Sequence, residues 1–94
     1  MPKFSALSVA DLLTPERDAG RVARKVEWVV FVECDDGSWC ELDADDFAHA
    51  KVLAHNWVDT LGARGCSVRR VRLIDGKCVR GPSAYTYFWQ PIGA

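Results

Sequence analysis

Basic and aromatic side chains are concentrated in residues 69–89, near the end of the chain. The stretch RRVRLIDGKCVRGPSAYTYFW contains five basic and four aromatic side chains. Sheets that bind nucleic acids place stacking aromatics beside basic side chains that hold the phosphates. This composition supports a nucleic-acid-binding hypothesis carried by seven residues. They are Arg69, Arg70, Arg72, Lys77, Arg80, Tyr85 and Tyr87.

The same stretch is also typical of ordinary strands in a small sheet. The alternation in AYTYFW predicts an amphipathic strand, and no RNP-type motif accompanies the aromatic residues. If the third strand pairs with the first, Arg70 and Arg72 share a face with acidic side chains there. Cross-strand ion pairs with Glu27 and Glu33 would then neutralise the basic charge. Nucleic-acid binding is therefore kept as the alternative to a protein-binding function.

Catalytic chemistry has little support in the sequence. His49 and His55 lie on one predicted helix, roughly 120° apart in direction, and neither shares a motif with a serine or cysteine nucleophile. Turn and cap chemistry accounts for the clustered acids, which are Asp35, Asp36, Asp43, Asp45 and Asp46. The glycines lack the spacing of a phosphate-binding loop. We expect a non-enzymatic protein without a cofactor.

The four cysteines, at positions 34, 40, 66 and 78, lack the paired short spacing of a zinc site. Asp11 interrupts the apolar start of the chain, which makes that segment a poor signal peptide. No apolar run reaches the roughly 18–20 residues that span a bilayer. We therefore expect free thiols, no metal, no membrane contact and a cytoplasmic location.

Charge is segregated along a chain of 94 residues whose formal net charge is −1. Residues 26–60 carry one basic and nine acidic side chains, whereas residues 61–94 carry six basic and one acidic. The small net charge argues against a polycation that binds nucleic acid or anionic lipid as a whole. The segregation predicts opposed surface patches or a lattice of ion pairs.

The hydrophobic pattern predicts an α+β fold of the order β-β-α-β-β-β. Residues 26–34 and 38–42 form a hairpin that pairs Val32 with Cys40 and Val30 with Leu42. A strand over residues 66–74 contains a bulge at Arg69-Arg70, and Asp75-Gly76 is a two-residue turn into a fourth strand. Residues 84–90 form a final strand. One mainly antiparallel sheet is then covered on one face by one helix.

The predicted helix begins after Asp43 as N-cap and runs to about Leu61, with Gly62 following its end. Its apolar stripe packs on the apolar face of the first hairpin. The predicted core consists of Trp28, Val30, Val32, Leu42, Phe47, Leu53, Trp57 and Leu61.

Residues 1–25 are expected to form a helical or irregular lead-in to a single α+β domain over residues 26–94. Thr14 and Pro15 resemble the start of a short helix that runs to about Arg24. Whether this lead-in covers the sheet face opposite the main helix is left open by the sequence.

That second sheet face is the predicted interaction surface. Phe31 and Trp39 are its aromatic anchors, because large aromatics beside charged groups are typical of protein interfaces. The surrounding charges are Glu33, Glu41, Arg70 and Arg72. We expect a regulator, inhibitor or subunit that binds another protein or a second copy of itself. The acidic first hairpin is a further contact region.

Overall fold

The computed structural model describes residues 15–90. In chain order, the elements are helix α1 (Pro15–Ala23), strands β1 (Trp28–Glu33) and β2 (Trp39–Ala44), helix α2 (Phe47–Asp59), and strands β3 (Gly65–Ile74) and β4 (Lys77–Phe88). The strands form one antiparallel sheet in the order β2-β1-β3-β4. The predicted α+β class is confirmed. Within residues 15–90, neither helix is long and apolar enough to cross a membrane.

The register of the first hairpin agrees with the prediction. Val30 pairs with Leu42 and Val32 with Cys40, while the Cys34 amide donates to the Ser38 carbonyl at 2.8 Å. Gly37 has a φ of 88°, a left-handed conformation that glycine adopts without steric cost. This turn fixes which residues of β1 face each side of the sheet.

The predicted fourth and fifth strands are one continuous strand, β4, so the sheet has four strands. The predicted bulge lies in β4 and not in β3. Arg69 pairs with Ser83 and Val71 with Arg80, which leaves the extra residues on the β4 side. Side chains of β3 therefore alternate without a break. Its buried residues lie on both faces of the sheet, because each face is covered by its own helix: Val68 lies on the α2 side and Val71 on the opposite side.

Helix α2 begins later than predicted because β2 continues through Ala44. Asp46, and not Asp43, is the N-cap: its carboxylate accepts from the His49 amide at 2.7 Å. The helix ends at Asp59, with Thr60 as C-cap. Gly62 then has a φ of 77°, as expected for a glycine that follows a helix.

The core between α2 and the sheet contains Val30, Val32, Val68 and Cys66, with Ala50, Ala54 and Val58 from the helix. The other predicted core residues are partly buried against this cluster. Leu61 is the exception, since 56% of it is exposed. The prediction for Leu61 was wrong because the helix ends before it.

Helix α1 confirms the predicted lead-in helix, although its proposed N-cap, Thr14, lies outside the described residues. The helix lies on the sheet face opposite α2. Beneath it, Val29, Phe31 and Val71 are fully buried, with Val22 and Trp39 packed against them. The described part of the lead-in therefore answers the open question of what covers this face.

Candidate protein-binding site

Phe31 does not lie on an open surface. Its exposed fraction is 0%, because α1 crosses the face on which it lies. The expectation that Phe31 is an exposed anchor was wrong. Trp39 is partly buried against the same cluster. The error arose because the alternation of β1 identifies two faces but not the element that covers the second face.

Buried ion pairs hold α1 on the sheet. Arg21 lies 2.8 Å from Asp18 and 2.7 Å from Glu41, measured between guanidinium nitrogen and carboxylate oxygen. Arg80 lies 2.6 Å from Asp18, and its guanidinium carbon is 4.5 Å from the centre of the Phe31 ring. Each of the four charged side chains is less than a tenth exposed. We name Asp18, Arg21, Glu41 and Arg80 the ion cluster.

The protonation of Arg21 follows from these partners. Burial alone would lower the pKa of the guanidinium, but hydrogen bonds and charges from Asp43 and Glu41 outweigh it and raise the pKa above its usual value. Arg21 is therefore a fixed positive charge. The ion cluster therefore contains two residues that were predicted to bind a partner. Glu41 was assigned to the protein-binding face, and Arg80 to the nucleic-acid hypothesis.

The remaining charged residues of the predicted protein-binding face are divided between different places. Glu33 is buried and lies 3.8 Å from Arg64. Arg70 is the register partner of Trp28, so Arg70 lies on the α2 side of the sheet. The predicted ion pair between Arg70 and Glu27 is present at 2.8 Å. The predicted face shared by Arg70 and Glu33 was wrong, because residues 28 and 33 of β1 point to opposite sides of the sheet and Arg70 pairs with Trp28. The structure thus does not bring the six predicted residues together on one surface.

The seven residues of the nucleic-acid hypothesis are also divided. Arg80 belongs to the ion cluster. Tyr85 and Tyr87 lie on the α2 side, where their rings stack on His55 with centroid distances of 5.9 and 3.8 Å. Their hydroxyl groups contact His55 and Asp59 at 2.5 and 2.9 Å. His55 therefore occupies one face of each of these tyrosine rings.

The polar contacts between α2 and β4 also affect a pKa. The Tyr87 hydroxyl donates to the Asp59 carboxylate, and this hydrogen bond raises the pKa of Tyr87 above its usual value. The neutral phenol is therefore the favoured form. The contact ties the end of α2 to β4 and supplies no nucleophile.

An open cleft of about 740 Å³ lies beside this contact, between the end of α2 and the end of β4. Its polar side chains include Asp59, which accepts from Tyr87, and Arg64, which donates to the Asp35 carbonyl at 2.8 Å. These groups already have partners within the chain. In the part of the chain that the structure describes, no group of three or more histidine, cysteine or acidic side chains is arranged to hold a metal ion.

The four cysteines are free thiols. The Sγ atoms of Cys34 and Cys40 are 3.9 Å apart. Burial, followed by the contact with Cys34, raises the pKa of Cys40 to about 11. Burial raises the pKa of Cys66 to about 12. Because the thiolate is the reactive form, these two residues are poor nucleophiles at neutral pH.

The outer half of the β3–β4 hairpin projects beyond its neighbours. The pairing of β3 with β1 ends at Arg70, so the hairpin continues without a third strand beside it. We name residues 72–79 the arm; the next residue, Arg80, belongs to the ion cluster. Its turn is closed by Asp75 and Gly76, whose φ angles are 50° and 77°. These values fit the two-residue turn that the sequence predicts.

The arm exposes large apolar side chains. The exposed fractions are 56% for Leu73, 42% for Ile74 and 41% for Val79. Ile74 and Val79 line a groove of about 240 Å³ on the α2 side of the sheet. Trp28 lies at the inner end of this groove, and Pro82 forms part of its wall. We name it the arm groove.

The bulged part of β4 shapes this groove. Gly81 lies close to the backbone of β3, where an added Cβ would be 3.4 Å from the Arg70 carbonyl oxygen. Pro82 has no amide proton to donate, so it interrupts the outer edge of β4. Such interruptions protect edge strands from pairing with another sheet.

Sequence reasoning missed the arm although a signal was present. Leu73 and Ile74 are adjacent, so they point to opposite faces of a strand just before a tight turn. Two covering elements are needed to bury apolar residues on both faces of a hairpin end. The predicted fold contains no element that could cover either face at that position. The arm is exposed because β1 and both helices end before it.

Comparison of the chain with protein-family models, curated proteins and solved structures finds no match.

Proposed function

We propose that this chain is a non-enzymatic protein-binding module and that its contact surface is the arm groove with the exposed side chains of the arm. The observation that carries the proposal is the exposure of Leu73, Ile74 and Val79 on one projecting hairpin. Because these side chains are already about half buried, covering the rest would stabilise a contact by roughly 1 kcal/mol for each of them. A partner would recover stability that the isolated chain does not obtain from these residues.

The composition of the groove supports a protein as the partner. Aromatic residues and arginine are enriched in protein interfaces, and Trp28, Arg70 and Arg72 line the groove beside its aliphatic residues. The Arg70 guanidinium carbon lies 5.7 Å from the centre of the Trp28 ring. This arrangement pre-orders a hot-spot pair, so less side-chain entropy is lost on binding.

Site-specific photo-crosslinking in the native cell tests this function. A photoreactive phenylalanine analogue at position 74 should give covalent adducts with protein, because Ile74 lies in the groove. The matched control carries the analogue at Val52, which is 64% exposed on α2. Adducts at position 74 and few at position 52 would support the proposal. Equal adducts at both positions, or none at position 74, would contradict it.

Nucleic-acid binding is the alternative proposal, and one observation favours it. Arg70 and Arg72 line the groove, and Lys77 pairs with Ile74 and lies on the same face. Binding of this kind would weaken steeply with salt. Submicromolar oligonucleotide binding at physiological salt, lost in Arg72→Glu, would favour the alternative. We place either function in the cytoplasm, where free thiols such as Cys66 persist.

A further inference from the structure

We propose that Cys34 and Cys40 form a reversible disulfide across the first hairpin when the protein meets a low-molecular-weight disulfide such as oxidised glutathione. The two thiols are then a redox-sensitive modification site. This inference is carried by the geometry of the hairpin and is independent of the proposed protein-binding function. Cytosolic disulfides are usually transient and catalytic or redox-sensing, which fits the location proposed above.

The two thiols meet on the α2 side of the sheet. Cys40 pairs with Val32, and Cys34 lies two residues beyond Val32 along the chain, so both cysteine side chains point to the same face. Their Sγ atoms are 3.9 Å apart, and both side chains pack against the core cluster beneath α2. The fold thus holds the two reacting atoms in contact before any bond forms.

The hairpin turn provides the movement that bond formation requires. A disulfide has a sulfur–sulfur distance of about 2.05 Å, so the two sulfur atoms must approach by roughly 2 Å. Cys40 lies within β2, whereas Cys34 follows the last residue of β1. Residues 35–38 beyond it are exposed, and a Cβ added to Gly37 would meet nothing within 4 Å. The movement therefore falls on the exposed turn and not on the buried strands.

Cys66 lies on the same face but is a poorer partner. It pairs with Val32 from β3, so two strand spacings of about 4.8 Å each separate it from Cys40, which is more than a disulfide spans. Cys66 is buried, and its thiol donates to the Ala54 carbonyl at 3.6 Å. A bond from Cys66 to Cys34 would break this contact within the core, whereas Cys40 is only partly buried.

The oxidation consists of two exchange steps. The Cys34 thiolate attacks one sulfur of the glutathione disulfide, which releases one glutathione and leaves a mixed disulfide on Cys34. The Cys40 thiolate then attacks the Sγ atom of Cys34 and expels the second glutathione. The two protein thiols lose two electrons and two protons, and the glutathione disulfide gains them.

The order of the two steps follows from the surroundings of each thiol. Cys34 borders the exposed turn, where a reactant in solution can reach it. Burial and the contact with Cys34 raise the pKa of Cys40 to about 11, so Cys40 is a slow nucleophile toward such a reactant. In the second step the attack is intramolecular and begins from 3.9 Å, and this proximity compensates for the small thiolate fraction.

Equilibration of the purified full chain with glutathione redox buffers tests the proposal. After the remaining thiols are alkylated, peptide mass spectrometry should identify a link between Cys34 and Cys40. The equilibrium constant for this link should be at least about tenfold greater in the folded chain than in urea, which corresponds to about 30 mV in reduction potential. The bond then stabilises the fold by the same factor, so the oxidised chain should have the higher thermal midpoint.

Two variants locate the chemistry. Cys40→Ser removes the second thiol and should leave Cys34 as a mixed disulfide with glutathione, which traps the first step. Cys78→Ser is the matched control, because Cys78 pairs with Leu73 in the arm, and this variant should form the same link as the unmodified chain. Circular dichroism establishes that both variants are folded.

Three results would overturn the proposal. They are four free thiols in every buffer, a link from Cys34 to Cys66 in place of Cys40, and an equilibrium constant no greater in the folded chain than in urea. Each of these results concerns the first hairpin alone, so the proposed function of the arm groove is judged separately by crosslinking at position 74.

Discussion

The inner and outer halves of the β3–β4 hairpin are both rich in apolar residues, but their surroundings differ. In the inner half, Val68 lies under α2 and Val71 under α1, and both are fully buried. In the outer half, Leu73 and Val79 remain exposed because β1 and both helices end before them. The comparison shows that the hydrophobicity of a strand does not determine its burial. The reach of the neighbouring elements determines it.

The two regions should therefore respond differently to substitution. The inner half depends on packing within the chain, so changes there should lower the free energy of unfolding. Changes on the arm should leave the free energy of unfolding nearly unaltered and should alter association. Each variant below separates these two behaviours.

Phe31→Ala should have the largest effect on stability. Phe31 is fully buried beneath α1, and truncation of such a side chain costs about 3–5 kcal/mol through lost transfer free energy and the cavity that remains. Urea denaturation monitored by tryptophan fluorescence measures this loss. A loss below about 1 kcal/mol would mean that α1 does not cover the face in solution.

Arg21→Ala should lower the free energy of unfolding by about 3 kcal/mol, because removal of one member of a buried ion cluster leaves the remaining charges without compensation. The matched control is Arg24→Ala. Arg24 also contacts Asp43, but its side chain is 63% exposed, so its loss should cost at most about 1 kcal/mol. Equal losses for the two arginines, measured by urea denaturation, would argue against a buried cluster.

Gly65→Ala should cost about 1–3 kcal/mol, as expected when extra volume is forced into a packed site. An ideal Cβ at position 65 would lie 2.2 Å from a carbon of the Phe88 ring. Gly20→Ala in α1 is the control, because the nearest atom there is a flexible Arg24 nitrogen at 3.5 Å. That change should stabilise the helix by about 0.5–1 kcal/mol. Thermal unfolding should show a lower midpoint temperature for Gly65→Ala and a higher one for Gly20→Ala than for the unmodified chain.

Ile74→Ser should have the smallest effect on unfolding, within about 0.5 kcal/mol in dilute solution. The side chain is already partly in water, so little burial is lost within the chain. Urea denaturation at low protein concentration is the appropriate measurement. A loss comparable with that of Phe31→Ala would show that the arm is packed within the chain, and the contrast between the two halves would disappear.

Local features of the fold were predictable because local chemistry determines them. The turns at Gly37 and Asp75-Gly76 set the hairpin registers, and alternation in β1 identified Val30 and Val32 as core. The start of α2 was misplaced by three residues, since Asp43 and Asp46 are equally good caps by type. The extent of β2 decided between them, and strand pairing is not a local property.

The candidate site was less predictable because it depends on long-range placement. The arginines at 21 and 80 meet Asp18 and Glu41 only after α1, β2 and β4 have come together, so their separation in sequence conceals the ion cluster. The same docking buries Phe31 and removes it from the predicted binding surface. The arm becomes recognisable only when the ends of β1 and the helices are known.

Amide hydrogen exchange of the full chain tests the central claim most directly, namely that the neighbouring elements determine which part of the β3–β4 hairpin is protected. We expect strong protection of the amides around Val68 and Val71, which lie beneath the two helices, and weak protection across residues 72–79. Equal protection along the whole hairpin would contradict the account.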